Sequence, residues 1–280
     1  MRHHYIPCFY TSRWVGQDKR LCQYSRPFTK VKAKRVYPAG TGYVDDLWAI
    51  PHVEEGQKQL IETRFMSAID QKASDALSKI ENNNINLLTP EERTFWATFL
   101  ISLTQRHPDK FAKLRNDALA DLDNITSGLR STYDSRKKPD DPATFSEWLQ
   151  KKKNQGFFEK AGVMSIQSAI ALPKTTSVIC NFHWGVCTFN ENSHRLLTSD
   201  RPVIMSDGLK QPDAYIALPI GPRKLFFASR APEMGHGLCR MRNFAERSND
   251  LIAREAFEYV YGTDDSQLRF VENRLRKKVA

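Results

Sequence analysis

His3-His4-Tyr5-Ile6-Pro7-Cys8-Phe9-Tyr10-Thr11-Ser12-Arg13-Trp14 opens the chain. An expendable N-terminal arm is usually rich in Ser, Gly, Lys and Glu. This stretch instead concentrates aromatic side chains, two histidines and an arginine, so it reads as a short strand or extended piece packed into the body. Pro7 steers Ile6 toward extended geometry, which argues against helix across His4–Pro7. In an extended segment His3 and Tyr5 share one face while His4 and Ile6 share the other. Adjacent histidines on a regular strand therefore cannot chelate one ion. One faces a site and the other faces core or solvent, unless the pair is simply one core and one surface histidine.

Outward from that stretch, Leu21-Cys22-Gln23-Tyr24 reads as a second strand after the turn-like Gly16–Lys19, giving an expected hairpin over residues 3–24. Residues 25–37 are basic, with Arg26, Lys30, Lys32, Lys34 and Arg35. They run into the Pro/Gly-rich loop 37–42. With Phe28, Tyr37 and Tyr43 interleaved, this segment suits either a nucleic-acid backbone with stacked bases or a solvated connector.

Residues 53–80 carry Ile61, Phe65, Ile69, Ala73, Ala76 and Ile80 at helical spacing, a core stripe. Glu62, Met66 and Asp70 lie beside it at i, i+4 and i+8. The two acids would stand ~12 Å apart on one face, lining one groove or flanking the core as surface acids. Thr89-Pro90-Glu91-Glu92 is a capping-box helix start. That helix runs to Arg106-His107-Pro108, and another follows with Phe111, Leu114, Ala118, Leu122, Ile125 and Leu129. Residues 131–142 form a polar loop and the best internal boundary, and 143–153 and 157–172 read as shorter helices. From Thr175 the pattern turns to β, with expected strands at 175–184, 185–189, 195–199, 202–205, 215–220 and 224–229. A last helix is expected over 243–261, followed by a basic tail with Arg269, Arg274, Arg276, Lys277 and Lys278.

At 280 residues the chain affords a sizeable core, and no apolar run approaches the ~20 residues of a membrane span. No apolar stretch of a secretory signal follows the first arginine. Five cysteines without framework spacing fit reduced thiols and a cytoplasmic protein. The formal charge of +10 and a pI near 9.4 favour a polyanionic partner, RNA or DNA.

Cys180, His183, Cys187 and His194 superficially offer zinc ligand types, but a strand would point Cys180 and His183 to opposite faces. Thr198-Ser199-Asp200-Arg201-Pro202-Val203 is the better site. There Asp200 either serves an Asx-turn or is a catalytic carboxylate beside Arg201 at a strand end. No phosphate-binding glycine loop, nucleophile elbow, metalloprotease or kinase motif is present.

Two motifs together resemble the DUF4238 family of uncharacterised, mostly bacterial proteins. His3-His4-Tyr5-Ile6-Pro7-x-Phe9-Tyr10 is similar to that family's HHYVPxFYL opening, with Cys8 where Gln or Arg is common. Residues 198–203 resemble its TSDxPV motif. The order of hairpin, helical middle and β segment also matches, including Leu218-Pro219-Ile220. The resemblance carries no activity with it. It implies that His3, His4, Tyr5, Asp200 and Pro202 belong to one site or one structural knot.

The expected fold is α+β: a single domain over 1–280, with a helical middle block (53–172) packed on a mainly antiparallel sheet built from both chain ends (1–50 and 173–262), and a basic tail (263–280). The leading functional expectation is a nuclease-like phosphoester hydrolase. Its catalytic candidates are His3, His4, Tyr5, Glu62 and Asp200, and its substrate-binding candidates are Arg13, Arg106 and Arg201. A divalent metal is compatible with these carboxylates, but the sequence names no cofactor. The alternative is a non-catalytic nucleic-acid or protein-binding module in which the HHY and SDRP motifs are structural. Either way, the N-terminal strand is expected to pair with the C-terminal β region and to bring a histidine of the pair near Asp200.

Overall fold

A computed structural model describes residues 1–276. Lys277 and Lys278 of the basic tail lie outside the described residues. The molecule is α+β, with helices packed against antiparallel sheets whose strands come from both ends of the chain.

Strand β1 (Arg2–His4) ends where Pro7 caps a single-turn helix, α1 (Cys8–Thr11), which continues as a 3-10 turn at Ser12–Trp14. The fixed backbone of Pro7 suits that position, and its carbonyl accepts the amides of Tyr10 and Thr11. The expected 3–24 hairpin therefore does not form. β1 pairs with β4 (Tyr43–Asp45), whereas β2 (Leu21–Ser25) makes its hairpin with β3 (Lys32–Val36). Gly42 permits this, because its backbone has φ +64° and an added Cβ would stand 3.1 Å from Ile6 Cβ.

The helical block begins with one turn at Glu55–Lys58 (α2) and a π-helical stretch at Ile61–Met66, then runs through α3 (Ser67–Ile80), α4 (Pro90–Gln105) and α5 (Pro108–Leu129). Thr89 and Glu92 form the expected capping box of α4. Short α6 (Tyr133–Arg136) occupies part of the expected 131–142 loop. It is followed by α7 (Phe145–Asn154), α8 (Phe157–Ile170) and α9 (Pro173–Cys180).

Helix α9 replaces the strand expected at 175–184. Its β-branched residues suit a strand locally, but Thr176 and Ile179, three apart, are buried on one helical face, so tertiary packing overrides propensity. Strand β5 (His183–Thr188) follows, then β6 (Thr198–Ser199), β7 (Ile204–Met205), β8 (Tyr215–Gly221) and β9 (Lys224–Ser229). Helix α10 (Pro232–Arg240) follows β9 and contains Gly235 and Gly237. The expected 243–261 helix splits into α11 (Phe244–Glu255) and β10 (Tyr259–Gly262), and α12 (Leu268–Glu272) completes the described chain.

One sheet has the order β3-β2-β10-β6 and another β5-β9-β8-β7, both antiparallel. The N-terminal stretch reaches the C-terminal strands through side chains rather than strand pairing. Tyr10 donates to the Pro219 carbonyl at 2.7 Å and lies 2.7 Å from Thr198 Oγ1, and Trp14 Nε1 donates to Leu196 O at 2.8 Å. The largest buried apolar cluster accordingly runs from Tyr5 through Trp96 and Phe226 to Tyr261. Cys187 and Cys239 form a disulfide that links β5 to α10, a correction to the expected set of five thiols. At a sequence separation of 52, their spacing gives no hint of it. Among the described residues no helix is long and apolar enough to cross a membrane.

Candidate active site

Asp200 terminates β6 and is fully buried. Its Oδ1 accepts the Phe257 amide at 2.8 Å, and its Oδ2 accepts the amides of Glu258 and Tyr259 at 2.7 and 2.8 Å. Its own amide donates to Tyr259 O at 3.0 Å. Hydrogen bonds to a charged group contribute ~1.5–3 kcal/mol each, so this carboxylate outweighs continuation of α11 and turns the chain into β10. The expected late helix ends for that reason.

Beside this clasp stands His107, the residue capping α5. Its Nδ1 is hydrogen-bonded to Asp109 Oδ1, and its Nε2 lies 3.9 Å from Asp200 Oδ2, beyond hydrogen-bond range. Tyr5 and Phe257 meet the ring edge-on, with centroids at 5.1 and 4.9 Å. The other oxygen of Asp109 pairs with Arg201, whose guanidinium lies 4.8 Å from the Phe257 ring centroid. Arg201 Nε is buried without a partner. Burial pushes the Asp109 carboxyl up, but the hydrogen bonds and charges of His107 and Arg201 outweigh it and hold the group below its usual value. Burial also raises the Tyr5 phenol, helped by the Asp200 charge, so Tyr5 stays protonated. Of these groups, His107 and Arg201 line a cleft of about 790 Å³ whose wall also includes Lys110, Met205, Asp207, Tyr215 and Glu255.

The N-terminal histidines lie elsewhere. His3 is fully buried and stacks on Trp48. Its Nδ1 accepts the Trp48 amide at 3.2 Å, so Nε2 carries the proton and donates to Gln59 Oε1 at 2.6 Å. Both of its nitrogens are thus engaged. His4 faces Tyr43, and its Nε2 is buried without a partner. Burial lowers the His4 pKa, while the nearby Glu62 charge works in the opposite direction. Glu62 sits in the π-helical stretch and accepts the Trp48 indole N–H at 2.8 Å. The imidazole beside Asp200 is therefore that of His107, and the expectation that His3 or His4 supplies it is corrected. Pro7 and α1 turn the chain away after β1, which carries Tyr5, and not the histidines, to that place.

Arg106 precedes His107 but faces the opposite way. It is fully buried, pairs with Asp70 at 2.9 and 3.2 Å and donates to Ser102 Oγ at 2.6 Å, leaving its Nε unpartnered. Burial raises the Asp70 carboxyl against the pull of Arg106. Arg13 is held by Glu81 at 3.2 Å and by Phe9 O at 2.9 Å, on a different flank.

Tyr5, Asp200 and Arg201 thus converge on one centre. His3 and Glu62 meet at Trp48 and His4 faces Tyr43, while Arg106 and Arg13 make separate ion pairs. His107, Asp109 and Lys110 belong to the centre and escaped the sequence reading, where Arg106-His107-Pro108 registered only as a helix stop. The available signal was a histidine and an aspartate bracketing a proline between two apolar helices. Among the described residues no three His, Cys, Asp or Glu side chains gather closely enough to hold a metal ion.

No curated protein and no solved structure matches the chain. The family described as a protein of unknown function, DUF4238, matches residues 2–266 and so takes in both the N-terminal motif and the Asp200 motif. The chain belongs to the DUF4238 family.

Proposed function

We propose that the protein is a nuclease-like phosphoester hydrolase acting in the cleft at the α4–α5 junction. One observation carries the reading: the His107 imidazole, oriented by Asp109, borders the same cleft as the cations Arg201 and Lys110. Arginine and lysine suit the non-bridging oxygens of a phosphate. A carboxylate at Nδ1 fixes the tautomer and leaves Nε2 to accept a proton. In this reaction Nε2 takes a proton from water as the water oxygen bonds to phosphorus. The P–O ester bond then breaks, and the same proton passes to the leaving oxygen. Asp200 serves as scaffold, since its lone pairs are committed to three amides.

The test is a screen of phosphomonoesters, phosphodiesters, RNA and DNA, with and without divalent metal, against the native protein and His107→Asn. Cleavage that the variant loses while melting normally supports the proposal. No cleavage of any substrate class contradicts it.

A second reading, a nucleic-acid-binding module, is favoured by a different observation. The β2–β3 hairpin leaves Phe28 82% exposed in its turn, beside the exposed Lys30, and sets the exposed Lys32 and Lys34 along the outer strand of its sheet. Arg26 and Arg35 of that basic run are engaged internally, Arg26 with the Thr29, Glu272 and Leu275 carbonyls and Arg35 with Asp18. Three lysines and one open aromatic ring suit a single strand, with backbone contacts and base stacking. Oligonucleotide titration at two ionic strengths measures this, and binding that K30E and K32E leave unchanged contradicts it.

A further inference from the structure

We infer that the cleft takes a nucleoside monophosphate unit whose base carries an exocyclic amino group, guanine above all. The inference rests on the phosphoester reading of the same cleft and specifies what the ester is attached to. The segment from Arg201 to Asp207 runs along the wall, its middle extended as β7 and paired with β8 at Ala217 and Ile216. Six residue steps along an extended segment reach up to ~20 Å, so the phosphate is assigned to the Arg201 end of this segment and the base to its Asp207 end.

At the first end Arg201, His107 and Lys110 supply positive charge and N–H donors for a phosphate. Between the ends, Val203 and Met205 offer apolar surface, and Met205 remains 49% exposed despite its size. Tyr215 opens β8 beside them, held by the Ser206 amide donating to its carbonyl at 3.1 Å. Flexible thioethers and aromatic rings accommodate a flat heterocycle. At the far end Asp207 is exposed and forms no ion pair among the described residues. A free carboxylate there accepts from a base. Guanine presents N1–H and N2–H side by side, matching both oxygens, while adenine and cytosine offer an amino group and uracil only a ring N–H. A cleft of about 790 Å³ lies within the size range of small-molecule sites. Anion, flat ring and donor edge, in that order along the wall, describe a nucleotide better than a sugar phosphate or free phosphate.

Calorimetric titration tests this without turnover, using GMP, UMP, ribose 5-phosphate and inorganic phosphate as probes on the full chain. The expected result is GMP binding about tenfold tighter than UMP, with ribose 5-phosphate and phosphate weaker still. Asp207→Asn should erase the preference for GMP over UMP while leaving ribose 5-phosphate binding unchanged. Because Asp207 is exposed, this variant should fold, and its melting curve confirms that. Ribose 5-phosphate binding as tightly as GMP, an unchanged GMP preference in D207N, or no binding of any probe overturns the inference. Selective GMP binding without cleavage of any ester supports it and removes the hydrolase reading alone.

Discussion

Asp200 and Arg201 are neighbours in sequence and opposite in fate. Around Asp200 the polar groups are matched: three amides on the carboxylate, and a β10 carbonyl on the amide. Around Arg201 they are not, for its Nε is buried without a partner and the cleft opens beside it. The N-terminal pair repeats the contrast, since His3 has both nitrogens engaged while His4 Nε2 has no partner. In each motif one residue builds the scaffold and the next is left with unused hydrogen-bonding capacity. A polar motif is thus not one functional unit. Its saturated member should fail by unfolding, and its unsaturated member should matter for binding or chemistry only where it borders the cleft, as Arg201 does.

The sharpest break of this contrast comes from Asp200→Ala. It strands three amide donors in a buried loop, and we expect a loss of about 4 kcal/mol or more, read by thermal melts as a midpoint fall of about 10 °C. A near-native midpoint would return Asp200 to the functional side. Tyr10→Phe comes next. It leaves the Pro219 carbonyl and the Thr198 hydroxyl without their partner between the chain ends, at about 2 kcal/mol in the same melt.

Smaller effects appear in the pH dependence. Asp109 has its folded pKa held down by His107 and Arg201, so its contribution is present above the unfolded carboxylate value near ~3.9 and lost as pH falls through the folded one. Asp109→Asn should therefore flatten the acid limb of a stability–pH curve. His4 has its folded pKa lowered by burial. Its contribution is present above the unfolded value near ~6.5 and disappears as pH falls through the folded value. His4→Gln should remove a shallow rise in stability approaching neutrality, and an unchanged curve would show that Glu62 cancels the burial.

The elements legible in the sequence were those whose signals are local. The Thr89–Glu92 capping box, the long apolar faces of α4 and α5, and the short apolar runs of strands β8 and β9 lie close to where their patterns put them. What escaped was decided at a distance. Helix α9 is a β-branched run held helical by the packing of Thr176 and Ile179, and β10 exists because Asp200, nearly 60 residues upstream, captures the amides after α11. Cys187 finds Cys239 only when α10 folds onto β5. The site shows the same division. Asp200 and Arg201 stood out through their turn motif, and Tyr5 through its unusual company. His107 was masked by its neighbours Arg106 and Pro108, because a helix stop and an imidazole at a cleft wall look alike in one dimension.

The central claim is that chemistry resides at His107 in the cleft rather than at the N-terminal histidine pair. The most direct test compares initial rates of phosphodiester cleavage for His107→Asn and His4→Asn, each verified as folded by its melt. Loss of an oriented acid–base group typically costs 10²–10⁴-fold, so the account predicts a fall of about that size in H107N and a rate within severalfold of native in H4N. A folded H107N protein that cleaves at the native rate, or an H4N protein that alone loses activity, would contradict it.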